Sequence, residues 1–338
     1  MASLSALLAA GKPLLADGAT GTNLFAMGLT AGDAPETWNI EHPERVKTLH
    51  QGFVDAGADI ILTNTFGGNA RRLMLHGLQS RALEINRLAA QHARAVADAA
   101  GRPIVVAGSV GPTGDLFEPL GELTEDLAIA VFTEQMQGLK DGGADVAWIE
   151  TMSSLEEIQA AATAAARVGI PYAFTASFDT AGRTMMGITP AALVEFAKEL
   201  SPPPVALGAN CGVGASDLVM SVLGMSAQAA GIPLIAKANA GIPQFVGEHI
   251  HYNGTPELMA RYADLAVNSG ASIVGGCCGT SFHHLSAMRA ALDAHQPGQR
   301  PDEAAVVAEL GALQAPGAKP GHRSAGGSAS EGRRGRRG

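Results

Sequence analysis

Short apolar runs alternate with longer stretches of helical period along most of this chain, and the alternation recurs eight times. The apolar runs fall at 13–16, 59–63, 104–107, 146–149, 172–176, 205–207, 234–237 and 271–274. They are continuously apolar rather than alternating, which predicts strands buried on both faces, as in a parallel sheet covered by helices. Helix signals lie between them. Pro43 suits a first turn, with Val46, Leu49, Phe53 and Val54 on one face and Gly57 closing. Thr124 followed by Glu125 and Asp126 predicts a helix start, Ser154 with Glu157 reads as a capping box, and Thr189-Pro190 and Thr255-Pro256 open two more.

Eight such units predict an α/β fold, a (β/α)8 TIM barrel formed as a single domain over residues 1–298. The polar residues Asp17, Asn64, Ser109, Glu150, Asn210 and Asn239 all follow strand runs, which is the catalytic face of such a barrel. Residues 299–338 turn to Gly, Ala and Arg and read as a tail, disordered from about 315 because that composition cannot bury a core.

Composition narrows the function classes. The 338 residues are 46% hydrophobic and carry a formal charge of -9, which argues against a nucleic-acid partner for the body of the protein. No apolar run is long enough to span a bilayer, the first residues lack the basic start of a signal peptide, and cysteines are few, so a reducing cytoplasmic location is expected.

The three cysteines carry the candidate chemistry. Cys277 and Cys278 stand in Gly275-Gly276-Cys277-Cys278-Gly279-Thr280 after the eighth strand, and Cys211 stands in Asn210-Cys211-Gly212 after the sixth. Adjacent cysteines seldom bridge and an odd count cannot close a disulfide set, so the alternatives are three small buried hydrophobes or three thiolates sharing one zinc ion. In a closed ring only one strand separates the sixth from the eighth, which favours the zinc ion, with a fourth position open to substrate. Zinc held by three thiolates is electron-rich and suits binding a substrate thiol and lowering its pKa, which predicts S-alkylation of a small thiol. His283-His284, close by in sequence, read as first-turn residues of the last helix and not as ligands.

The blocks Asp17-Gly18-Ala19-Thr20-Gly21-Thr22, Thr63-Asn64-Thr65-Phe66, Gly108-Ser109-Val110-Gly111-Pro112-Thr113, Glu150-Thr151, Asn210-Cys211 and the Cys277-Cys278 stretch resemble, in order, the signature of the homocysteine S-methyltransferase family. The resemblance spans about residues 10 to 295. It implies a zinc-dependent barrel that methylates homocysteine to methionine, with Cys211, Cys277 and Cys278 as zinc ligands and Asn239 as the resting-state fourth ligand. It further implies that Asp17 and Glu150 hold the homocysteine ammonium, that the amides of Gly18 and Ala19 receive its carboxylate, and that Thr65 and Ser109 line the pocket.

For the methyl donor, the chain has no length for the folate and cobalamin modules of cobalamin-dependent methionine synthase, so an onium donor is expected. Glycine betaine, leaving as dimethylglycine, is favoured over S-methylmethionine and dimethylsulfonio compounds. Aromatic faces hold such cations, which makes Trp38, Phe66 and Tyr252 candidates. The resemblance to animal betaine enzymes is incomplete: they have tyrosines where Asn69 and Thr151 stand, their tryptophan is in a different register from Trp38, and they carry an oligomerisation extension unlike this tail. Outside the family, a phosphate-binding barrel synthase could use Asp17–Gly21 as an anion loop, and a zinc- or RNA-binding module could exploit the basic tail. Oligomeric state stays open.

Overall fold

The computed structural model describes residues 3–241, 243–246 and 249–314, the side chains of 243–246 and 249–251 excepted. Eight parallel strands form the barrel: β1 (Leu14–Leu15), β2 (Ile60–Leu62), β3 (Val105–Val110), β4 (Val146–Met152), β5 (Tyr172–Ala176), β6 (Ala206–Cys211), β7 (Leu234–Ala238) and β10 (Ala271–Gly276). They pair in the order β1-β10-β7-β6-β5-β4-β3-β2, and a parallel bridge from Ala16 to Ile60 closes the ring. Every described residue of β2, β3 and β5 is buried, the two-sided burial that their unbroken apolar character predicts.

Helices of the outer layer follow the strands: α2 (Thr20–Ala26), α4 (Pro43–Asp55), α6 (Ala82–Ala99), α7 (Glu125–Asp141), α8 (Leu155–Val168), α9 (Pro190–Glu199), α10 (Ala215–Ser226), α11 (Pro256–Asn268) and α12 (Phe282–Ala294). Short helices α1 (Leu4–Ala9), α3 (Trp38–Glu41) and α5 (Ala70–Leu73) fill the ends. Thr124, Ser154, Thr189 and Thr255 cap their helices by accepting a backbone N–H three residues on. The Ser154 box closes on one side only. Glu157 turns away to accept from the Thr113 amide and hydroxyl at 2.8 and 2.7 Å, because a buried carboxylate gains more from two donors than from one.

Two elements were not legible as such. After β7 the chain makes an antiparallel hairpin, β8 (Pro243–Val246) and β9 (His249–Tyr252). The stretch expected to begin the tail contains a helix, α13 (Glu303–Leu310), packed on α10 and α11 with Val306 and Leu310 in the core. The sequence boundary at 298 therefore precedes further folded structure, and the tail from about 315 lies outside the described residues. Among the described residues no helix is long and apolar enough to cross a membrane.

Candidate metal centre and thiol pocket

The strand ends converge where the barrel opens. Cys211 ends β6 and pairs in register with Ala238 of β7, and Ala238 pairs on its other side with Gly276, just before Cys277. This register brings the three Sγ atoms within 4.8 Å of one another, with Cys211 and Cys278 at 3.9 Å. A tetrahedral ion with bonds of about 2.3 Å to sulfur needs sulfurs about 3.8 Å apart. The donor set therefore fits a metal ion. Cys211 sits at φ 61 and Thr151 at φ 64, left-handed conformations unusual outside glycine.

Asn210 secures the Thr151 turn. Its Oδ1 accepts from the Thr151 amide at 2.9 Å and from Thr175 Oγ1 at 2.6 Å, while its Nδ2 donates to Thr151 Oγ1 at 2.7 Å and reaches Cys277 Sγ at 3.8 Å. Asn239 follows β7 between the two cysteine-bearing strands. Its Nδ2 donates to the Gly212 carbonyl at 2.8 Å, and its buried Oδ1 has no hydrogen-bond partner. A buried acceptor left unpaired costs stability unless a ligand meets it, so the sequence expectation of Asn239 as a fourth donor is chemically reasonable.

The thiols do not share charge evenly. Hydrogen bonds from Cys211 and Cys277, and a further one from the Tyr252 hydroxyl, hold Cys278 down at about 3 against its burial. Cys277 goes to about 12: its bond with Cys211 favours the thiolate, but its bond with Cys278, burial and the charge on Cys278 outweigh that. Hydrogen bonds with its two neighbours push Cys211 far above the ordinary thiol range.

Beside the thiols lies a cavity of about 520 Å³. Its buried end carries Glu150, Ser109, Thr65 and Lys237, and its exposed end Phe25, Phe66, Arg72 and His76. A register shift in β4 between Ile149 and Met152 sets the direction of Glu150, which accepts from Ser109 Oγ at 2.5 Å. Burial, reinforced by the nearby charges of Cys277 and Asp17, pushes Glu150 up to about 7, although Lys237 and Ser109 oppose this. Thr65 Oγ1 donates to the Ser109 carbonyl at 2.7 Å and so braces that wall.

Asp17 is fully buried and already engaged. Its Oδ1 takes Lys237 Nζ at 2.7 Å and its Oδ2 takes the Leu62 amide at 2.7 Å. Gly18 borders the cavity where a Cβ would meet Phe53 and Thr280 at 2.9 Å, so only glycine fits this approach. The Ala19 amide is spent on the Thr280 carbonyl at 3.2 Å.

The aromatic candidates separate. Phe66 is on the cavity wall and 39% exposed. Trp38 is buried outside that wall, with the Arg45 guanidinium 4.9 Å over its ring and His42 edge-on at 5.0 Å. Tyr252, delivered by the hairpin, turns its hydroxyl to Cys278 and packs against Gly279. Asn69 caps α5 by accepting from the Arg72 amide at 3.0 Å. His284 accepts from the Ser281 amide at 3.0 Å through Nδ1 and bonds the Gly254 carbonyl at 2.9 Å through Nε2, a capping role. Lys237 is the site member the sequence reading missed, and Asn210, placed there on the catalytic face, was given no role. The visible signal for Lys237 was a lone charge in an apolar strand, and for Asn210 its position next to Cys211.

A closed parallel barrel with three thiols converging at the C-terminal ends of its strands places the chain among (β/α)8 barrel proteins with a candidate metal centre. Comparison with known families then places the chain: the family described as homocysteine S-methyltransferase matches residues 14–292, and the chain belongs to it. It is 32% identical over 297 residues to methionine synthase of Mycobacterium tuberculosis (strain ATCC 25618 / H37Rv), covering 83% of this chain and 25% of that protein. The corresponding figures for methionine synthase of Mycobacterium leprae (strain TN) are 30%, 83% and 24%. The chain thus spans about a quarter of the length of these curated relatives. Its fold is similar to the metallated form of the homocysteine methyltransferase MmuM from Escherichia coli, with a TM-score of 0.72 at 24% identity, covering 84% of this chain and 98% of that one.

Proposed function

We propose that this protein transfers a methyl group to the sulfur of homocysteine, giving methionine, with zinc held by Cys211, Cys277 and Cys278. The observation that carries the reading is the meeting of three thiols beside a cavity whose buried end offers Glu150 to an ammonium. Family membership and methionine synthase relatives support the same product. Zinc at three thiolates would lower the pKa of a substrate thiol and so supply a sulfur nucleophile at neutral pH. Asn239 Oδ1, unpaired and buried, would be the fourth donor that the substrate replaces.

The chain's own residues bind and orient. Glu150, held by Ser109, takes the substrate ammonium, and the carboxylate goes to the backbone at Gly18, which lines the cavity. The donor is an onium compound, glycine betaine in the favoured case, set at the exposed end of the cavity. Phe25 and Phe66 offer ring faces to a quaternary cation there, and Arg72 offers a partner for a carboxylate. The sulfur–carbon bond forms as the methyl–nitrogen bond breaks, and the amine leaves neutral, so the reaction needs no general acid. Positioning and exclusion of water then supply the acceleration.

The test offers purified, zinc-supplied protein homocysteine with betaine, dimethylsulfonioacetate, S-methylmethionine or methyltetrahydrofolate in separate reactions. Methionine should form with betaine; turnover with methyltetrahydrofolate alone would overturn the onium assignment. Zinc measured after dialysis should be lost in Cys211→Ser, and full retention would refute the ligand set.

A further inference from the structure

A pocket that carries an alkyl donor to one sulfur also holds three sulfurs of its own. Cys211, Cys277 and Cys278 all border the cavity, and all three are partly exposed. A thiolate is a nucleophile toward carbon wherever it stands. Misdirected transfer would form a sulfur–methyl bond on a cysteine and break the methyl–nitrogen bond. The amine would leave with the electron pair, and the cysteine would be lost as a ligand. The site therefore needs a means of making its own sulfurs poorer nucleophiles than the substrate's.

Tyr252 stands against Cys278 because the β8–β9 hairpin is clamped to the cysteine stretch at its base. The Ala240 amide donates to the Cys278 carbonyl at 2.9 Å, and the Gly254 amide donates to the Ala240 carbonyl at 2.8 Å. His284 Nε2 bonds the Gly254 carbonyl at 2.9 Å, and Tyr252 pairs with Pro243 across the hairpin. The residue after Cys278 is Gly279, at φ 79, where a Cβ would collide with the Tyr252 side chain. Only glycine lets the ring come so close to the cysteines. From that position the hydroxyl donates to Cys278.

This bond outlasts metal binding. Sulfurs held by a metal are thiolates, so the S–H protons that the three cysteines share among themselves are gone. A phenol, with an ordinary pKa of about 10, still carries its proton at neutral pH. Cys277 has a counterpart in Asn210 Nδ2, 3.8 Å from its sulfur. A hydrogen bond to a charged acceptor is strong, and here it occupies electron density that would otherwise attack carbon.

We infer that Tyr252 is a positioning residue whose hydroxyl, bonded to Cys278 Sγ, protects that ligand from alkylation and leaves the substrate sulfur as the nucleophile. The inference rests on the zinc and methyl-transfer reading above and goes beyond it, assigning a device that decides which sulfur receives the alkyl group.

The test uses iodoacetamide, a neutral alkylating agent that the charges of the pocket do not steer. Zinc-loaded wild type and Tyr252→Phe are treated for increasing times at neutral pH, and modified cysteines are located by peptide fragmentation, with bound zinc measured alongside. Cys278 should react roughly tenfold faster in the variant, the change that one hydrogen bond to a charged group supplies. Cys211 and Cys277 should change by less than about twofold, since neither loses a bond from Tyr252. Tyr252→Leu serves if the phenylalanine variant does not fold, with the same expectation. Equal rates at Cys278 in wild type and a folded, zinc-loaded variant overturn the inference and leave the ligand set intact. Equal acceleration at all three cysteines also overturns it, because that marks a loosened metal and not a lost hydrogen bond. Wild-type protein that holds no zinc defeats the metal reading itself.

Discussion

Burial holds the Glu150 carboxyl at about 7 against an ordinary value of 4.5, which couples the pocket to pH. The sign follows from linkage. Between 4.5 and about 7 the unfolded chain loses this proton while the folded chain keeps it, so the contribution to stability is full below 4.5 and is lost as pH rises to about 7. Relative to Glu150→Gln, metal-free wild type should lose on the order of 3 kcal/mol across that window, read from denaturant melts at several pH values. Parallel curves for the two proteins would contradict it. The thiols permit a second test. Their mutual hydrogen bonds lower Cys278 and raise Cys277 and Cys211 from the ordinary thiol value. Zinc takes thiolates, so binding one ion should release protons from the raised thiols, measured from the dependence of calorimetric heats on buffer ionisation enthalpy. The cysteines were legible in the sequence because three of them fell at strand ends among glycines. The buried pair of Asp17 with Lys237 was not legible there, since the two stand 220 residues apart and only the closed ring brings them together.

The ends of β4 and β6 show how an element aims chemistry. Thr151 and Cys211 occupy left-handed conformations that their own side chains disfavour, and Asn210 compensates with three hydrogen bonds to Thr151 and Thr175. Asn210→Ala would leave the Thr151 amide and hydroxyl without these partners. The expected loss is about 2 kcal/mol of stability. Zinc affinity should fall by roughly tenfold or more, because Asn210 also steadies Cys277. Competition with a chromogenic chelator measures that loss, and unchanged affinity would confine Asn210 to the turn. Strands such as β5 were readable to the residue because they are buried on both sides. The β8–β9 hairpin was harder: Pro243 opens it, four-residue strands give little periodicity, and it stands outside the barrel's alternation. That miss bears on Tyr252, whose hydroxyl the hairpin brings to Cys278.

At the scale of the molecule, the ring was legible because eight strand-and-helix units admit few other closures, whereas the outer supports were not. Residues just past 298 looked like the start of a tail, since 311–338 are dominated by small and basic residues. The eight residues of α13 nevertheless bury Val306 and Leu310. Arg300 donates to the Leu223 carbonyl at 2.6 Å, and the Gln314 amide donates to Asp217 at 3.0 Å, so both ends of the segment are pinned to α10. That helix follows the strand that carries Cys211, and α13 therefore braces the layer behind one thiol. Val306→Asp places a charge in this contact and should cost about 3 kcal/mol, seen as a lower denaturation midpoint. Well below that midpoint zinc should still bind at full stoichiometry, because the sulfur positions follow from the pairing of β6, β7 and β10 and not from the helix cover. A folded Val306→Asp protein that cannot hold zinc would mean that the outer layer, not the strand register, sets the spacing of the thiols.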